Sequence, residues 1–169
     1  MATLRVDGNS LTIADVVSVA RRDTPVALDR ASEQLVRAAA KLVAEFADGD
    51  AAIYGINTGF GDLSQVRIPR ADLAKIQLNL LRSHAAGVGD PLPQDVTRAV
   101  LLLRANTLAS GRSGVRPETI DLLLDLLNRG VHPVIPMHGS VGASGDLAPL
   151  AHAALVLVGE GQAMFEGSF

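Results

Sequence analysis

Apolar residues recur at helical spacing in six stretches, separated by breaks rich in glycine and proline. The first helix is expected over Ile13 to Arg21. Thr12 with Asp15 three residues on resembles a capping box, with Asp in place of Glu. A second runs from about Ser32 to Phe46, with Leu35, Ala38, Ala39, Leu42, Val43 and Phe46 along one face, until Asp48-Gly49-Asp50 stops it. The third spans Ala71 to His84 through Leu73, Ile76, Leu80 and Leu81. Pro93 suits the first turn of a fourth helix reaching Ser110, and Pro117 opens a fifth that ends at Gly130. The sixth, Asp146 to Val158, is almost wholly apolar. Outside the helices, Leu4-Arg5-Val6 reads as an extended segment turning at Asp7-Gly8-Asn9. Residues 162 to 169 read as a hairpin whose second strand has barely begun, so the chain is expected to be a fragment. Residues 54 to 69 and 131 to 145 show neither period. No repeat, linker or low-complexity tract divides the 169 residues, so a single domain is expected.

Composition narrows the class. The chain is 48% hydrophobic and 20% charged, which supports a packed core. Its apolar residues are mostly Ala, Leu, Val and Ile, with four Phe, one Tyr and no Trp, a diet suited to close-packed helices. With a net charge of −3 and no basic cluster, a nucleic-acid partner is not expected. The absence of cysteine excludes disulfides, thiolate metal sites and cysteine nucleophiles. No basic-then-apolar leader and no run of roughly 20 apolar residues is present. The expectation is a cytoplasmic, mainly α domain with a few short strands and no membrane contact.

Chemistry concentrates in the two irregular stretches and at one helix end. In Gly139-Ser140-Val141-Gly142-Ala143-Ser144-Gly145-Asp146-Leu147-Ala148-Pro149-Leu150-Ala151-His152, a run of small residues delivers the chain into a helix, with Asp146 at its positive end. A serine nucleophile elbow would require Gly-x-Ser-x-Gly after a strand. Here Asp146 stands where the second glycine belongs, and Pro133 and Pro136 argue against the strand. In the other stretch, Tyr54-Gly55-Ile56-Asn57-Thr58-Gly59-Phe60-Gly61, three glycines also fit a plain connecting loop. It is not a dinucleotide fingerprint, because position 64 is Ser64. Tyr54 is the sole tyrosine of a chain that hardly uses aromatics for packing. Ser83-His84 closes the third helix, where an imidazolium would complement the helix C-terminus. His132, His138 and His152 lack metal-ligand spacing and read as structural, and Arg112 and Arg116 as solvated.

The segment 139–152 resembles, almost letter for letter, the signature of the aromatic amino acid ammonia-lyase family. The Tyr54 stretch is similar to that family's second signature, and the likeness runs from Leu4 to Phe169. It implies the N-terminal helical domain of the ammonia-lyase (aspartase/fumarase-like) fold, without the central bundle and the C-terminal part. In such enzymes Ala-Ser-Gly cyclises unaided to a 4-methylidene-imidazol-5-one (MIO) and no external cofactor or metal is used. Carried onto this chain, the Gly145 nitrogen attacks the Ala143 carbonyl carbon, and Ser144 loses its hydroxyl to leave an electrophilic methylene. Glycine suits the attacking position because no Cβ blocks the approach. The resemblance makes Tyr54 the general base, or the acid that assists the departing amine, and has Asp146 orient the ring-forming turn. Ser83, His84 and Asn57 fall to substrate binding. Enzymes of the family acting on phenylalanine resemble Phe-Leu at the pair, those acting on tyrosine often His-Leu, and those acting on histidine Ser-His. Ser83-His84 therefore implies deamination of L-histidine to trans-urocanate and ammonia by a homotetramer. Tyrosine lyase or aminomutase activity, and a catalytically inactive fragment, stay open as alternatives.

Overall fold

The computed structural model describes residues 2–142 and 145–168. Strand β1 (Leu4–Val6) is followed by helix α1 (Ile13–Arg22) and strand β2 (Val26–Leu28), which returns parallel to β1 with Leu4 opposite Val26 and Val6 opposite Leu28. The cap expected from sequence is present. The Asp15 N–H donates to Thr12 Oγ1 at 3.2 Å, and the Thr12 N–H to Asp15 Oδ2 at 3.0 Å. Helix α2 (Arg30–Asp48) starts two residues before the expected Ser32, because Asp29 Oδ1 accepts the N–H groups of Ala31 and Ser32. Helices α3 (Arg70–His84), α4 (Gln94–Ala109), α5 (Pro117–Asn128) and α6 (Leu147–Leu157) complete the helical set.

Helix α4 is central, packing against α1 and α5. Leu101, Leu102, Ala105 and Leu108 from α4 meet Val6, Val19 and Val26 from the first unit and Ile120, Leu123 and Leu127 from α5. Arg98, 2% exposed, ties this core together. Its guanidinium donates to the Val19 carbonyl at 3.0 and 2.9 Å and to the Leu127 carbonyl at 3.1 Å, and it pairs with Asp23. These carbonyls lie near the C-terminal ends of α1 and α5, where a cation is favoured and an unpaired oxygen would be costly. Asn128 closes the exposed side of β2 by accepting the Val26 N–H and donating to the Val26 carbonyl, both at 2.9 Å.

Three expectations need correction. On α2 the buried residues are Ser32 and Val36, whereas Leu35, Leu42 and Phe46 stay exposed. Two adjacent rows of this helix are apolar, and the smaller one faces the core. Short strands do form in the stretch ahead of position 144: β4 (His132–Pro133) and β5 (Pro136–His138). Proline is tolerated because each sheet has two strands, so every strand is an edge. Strand β5 pairs with β3 (Val88–Pro91), a segment expected to be only a break between helices. The hairpin expected over residues 162–169 is present: Phe165 and Ser168 exchange N–H···O bonds of 2.8 and 3.0 Å around Glu166-Gly167, and β6 (Ala163–Met164) leads into it as its first strand. Strand β6 also pairs antiparallel with β4, His132 opposite Met164.

Candidate active site

The Tyr54 loop is held from within by Asn57, whose side chain is 1% exposed. Its Oδ1 accepts the Ile53 N–H at 2.7 Å, and its Nδ2 donates to the carbonyls of Ala51 and Phe46 at 2.9 and 3.2 Å. The Asn57 carbonyl also accepts the Ile68 N–H at 2.8 Å, and Thr58 bridges Arg67, so both arms of the loop close on themselves. All the Asn57 side-chain bonds go to backbone; its part in the site is to shape the loop. Tyr54 stands out from this frame, 61% exposed, with its ring edge-to-face on Phe60 at 6.2 Å. Its hydroxyl is free to meet a substrate.

His84 ends α3 half-buried, its Nδ1 lying 2.9 Å from the Leu80 carbonyl. A carbonyl only accepts, so Nδ1 carries a proton there, and whenever the ring is neutral its lone pair lies on Nε2. Ser83 supports this orientation. Its hydroxyl donates to the same Leu80 carbonyl at 2.9 Å and lies 3.1 Å from His84 Nδ1. Ser83 thus steadies the imidazole from the helix surface, a role the sequence did not distinguish from direct contact.

His84 and Gly145 line one cavity of about 410 Å³ between α3, α4, α5 and α6, with Leu80, Leu101, Leu147 and Leu150 among its walls. A polar cavity of about 460 Å³ beside Arg98 and His132 contains none of the candidate residues. Tyr54 and Asn57 belong to a separate loop and do not line the His84 cavity. Ala143 and Ser144 lie outside the described residues. Around them the chain is left-handed at Gly142 (φ +67°), Gly145 (φ +87°) and Asp146 (φ +42°). At Asp146, a non-glycine residue, this conformation is strained. A Cβ at Gly145 would meet only Leu147 Cδ2, at 3.6 Å, so space is not what selects glycine here; backbone angle is. Asp146 is the N-cap of α6, but its side chain makes no capping bond, and Oδ1 is buried without a partner among the described residues. Among the described residues no group of three or more side chains could hold a metal, and no helix is long and apolar enough to cross a membrane.

This fold and turn match a known class. A sequence model of the aromatic amino acid lyases matches residues 11–169, and the chain belongs to that family. It is 58% identical over 164 residues to a histidine ammonia-lyase of Gloeobacter violaceus, covering 97% of this chain and 32% of that protein. Among solved structures, the histidine ammonia-lyase of Trypanosoma cruzi superposes with a TM-score of 0.89 at 36% identity, covering 99% of this chain and 32% of that one. A tyrosine aminomutase from Streptomyces globisporus superposes with a TM-score of 0.91 at 37% identity, covering 98% and 31%. The chain spans about a third of the length of the curated relatives it matches.

Proposed function

We propose that these residues form the N-terminal, electrophile-bearing part of a histidine ammonia-lyase, which deaminates L-histidine to trans-urocanate and ammonia. One observation carries the reading: His84, its Nδ1 held at the Leu80 carbonyl, lines an apolar cavity that also reaches Gly145, and the neutral ring so held has Nε2 as its acceptor. A substrate ring that brings an N–H satisfies that acceptor, while a bare phenyl ring leaves it unpaired at a cost of about 1–3 kcal/mol. Leucine side chains around it exclude water and strengthen the bond. The residues flanking Ala143 and Ser144 fit an MIO, since Gly142, Gly145 and Asp146 adopt left-handed conformations that bring the chain round sharply into α6. Once formed, that group supplies an electrophile no ordinary side chain provides. Asp146, next to Gly145 in sequence and with a buried Oδ1 that has no partner among the described residues, orients it. Tyr54 serves as the proton-transferring group, brought up on the Asn57-braced loop. The family resemblance supports a cytoplasmic homotetramer, and the exposed Leu35, Leu42 and Phe46 of α2 fit burial in such an assembly.

A phenol O–H would satisfy His84 Nε2 as well, and the likeness to a tyrosine aminomutase structure favours that second reading. Turnover of L-histidine against L-tyrosine by the complete enzyme carrying this chain decides between them. A higher kcat/KM for tyrosine overturns the histidine assignment.

A further inference from the structure

His152 sits on α6 six residues beyond Asp146 and lines a different cavity from the one His84 and Gly145 share. The Gly87 N–H donates to its Nε2 at 3.0 Å. Because an amide N–H only donates, Nε2 must hold a lone pair and Nδ1 the proton. Gly87 lies three residues past His84, in the turn between α3 and β3. The contact is close on every side. A Cβ at Gly87 would lie 3.1 Å from His152 Nε2 and 3.2 Å from Pro136 Cβ, and one at Gly139 would lie 3.2 Å from Gly87 Cα and 3.3 Å from Ala148 Cβ. Three segments therefore meet at one point: the exit from the His84 helix, the strand leading toward residues 143–145, and the helix leading away from them.

We propose that His152 is a positioning residue: as the neutral Nδ1-protonated tautomer it accepts the Gly87 N–H and fixes the His84 end of α3 against the helix that follows the 143–145 turn. The proposal rests on His84 and that turn sharing the substrate. Helices α3 and α6 pack against each other, but apolar packing alone allows sliding, whereas one directed bond at their junction sets the register. The bond survives only while the ring is neutral, and burial holds the His152 pKa below its ordinary value of 6.5. Arg82 on α3 lines the same small cavity of about 340 Å³ as His152 and is held by Glu160, whose carboxylate accepts from Arg82 Nε at 2.9 Å. Val134, Pro136, Leu155 and Gln162, which complete that wall, carry no charge.

Histidine-selective ¹⁵N NMR on the 169-residue chain tests the bond directly. The expected result is a protonated Nδ1 and a bare Nε2 for His152 at neutral pH, with the Gly87 amide resonance moving as His152 titrates. A protonated Nε2 overturns the proposal, and this measurement on the parent decides even if every variant misfolds. His152→Leu should speed Gly87 amide exchange at least about tenfold and shift the His84 ring resonances; His152→Gln, which restores an acceptor, should reverse most of both. Unchanged exchange and unchanged His84 signals in a folded Leu variant also overturn it. In the complete enzyme, His152→Leu should lower kcat/KM for L-histidine by about 10- to 100-fold, with recovery in His152→Gln. Full turnover in the Leu variant overturns the positioning role while leaving the lyase reading intact. A parent inactive on histidine overturns the lyase reading instead, and the NMR result still decides the bond.

Discussion

At the residue scale, the proposed reaction depends on single atoms that no neighbour can replace. Ser144 would have to give up a hydroxyl for the proposed electrophile to form, so Ser144→Ala in the complete enzyme should abolish urocanate production while leaving folding nearly unchanged. Urocanate made at anything near the parent rate would remove the MIO from the account. Tyr54→Phe deletes one exposed hydroxyl and keeps the edge-to-face contact with Phe60. The expected loss is at least about 10²-fold in kcat, on the scale of losing a positioned acid or base, with little change in Tm. A kcat within a few-fold of the parent, with the same pH profile, would return Tyr54 to a purely structural place in its loop. Replacing Ser83-His84 by Phe-Leu removes both the Nε2 acceptor and the hydroxyl that steadies it. The kcat/KM ratio of L-histidine to L-phenylalanine should fall, and a ratio that does not move would put selectivity elsewhere.

At the scale of elements, β4 carries a buried histidine whose cost depends on pH. His132 is 6% exposed, and its Nε2 has no hydrogen-bond partner among the described residues. Burial lowers its pKa below the ordinary 6.5, the nearby Arg98 guanidinium adds to this, and Asp23 opposes it. In the unfolded chain the ring takes up a proton as pH falls through 6.5, whereas the folded ring does so only at lower pH. Between those two values the unfolded state binds more protons, so stability rises with pH there and is lost on acidification. His152 shifts the same way by burial and adds to the effect. The Asp7, Asp15 and Glu160 carboxyls, all held below their ordinary values, act in a separate and more acid window. Thermal melts should therefore show a lower Tm at about pH 5.5 than at about pH 7.5, and His132→Gln should reduce the difference. An equal or higher Tm at the acid pH would mean that the ring is charged in the folded protein.

For the whole molecule, the surface left open matters as much as the core. Leu35, Leu42 and Phe46 on α2 and Leu147 and Val158 on α6 are exposed, although each belongs to an apolar helix face. Apolar area of this kind drives self-association. Ring closure at 143–145 would require the Gly145 nitrogen to be forced onto the Ala143 carbonyl, and Leu147, at the start of α6, is 54% exposed rather than packed. The 169-residue chain alone should accordingly show no ammonia-lyase activity and contain an uncyclised Ala-Ser-Gly. Intact mass checks this: a species lighter by two waters would show that this chain makes the electrophile unaided.

All six helices could be read from periodicity, caps and breaks, because local interactions fix them: Thr12 and Asp15 cap α1 within four residues, and Pro117 starts α5. The proposed MIO segment could be singled out for a different reason, since a reaction between neighbouring residues must be written in consecutive letters. Of the short strands, β1 was legible as the extended segment Leu4-Arg5-Val6 and β6 as the start of the final hairpin, whereas β2, β3, β4 and β5 were not. Three residues are too few to show alternation, and β2 exists because Asn128, far along the chain, closes its edge. Nor could one sequence decide between two apolar rows on α2, a choice made by which row faces the core. Asn57 and Ser83 stood out in the sequence as substrate-binding candidates, and only the folded chain shows their bonds, to the loop backbone and to the Leu80 carbonyl. His152 looked ordinary because its partner, Gly87, is remote in sequence. Sequence by itself determined what local geometry and local chemistry can encode. Tertiary structure decided every relation that depends on a distant backbone group arriving within hydrogen-bond distance.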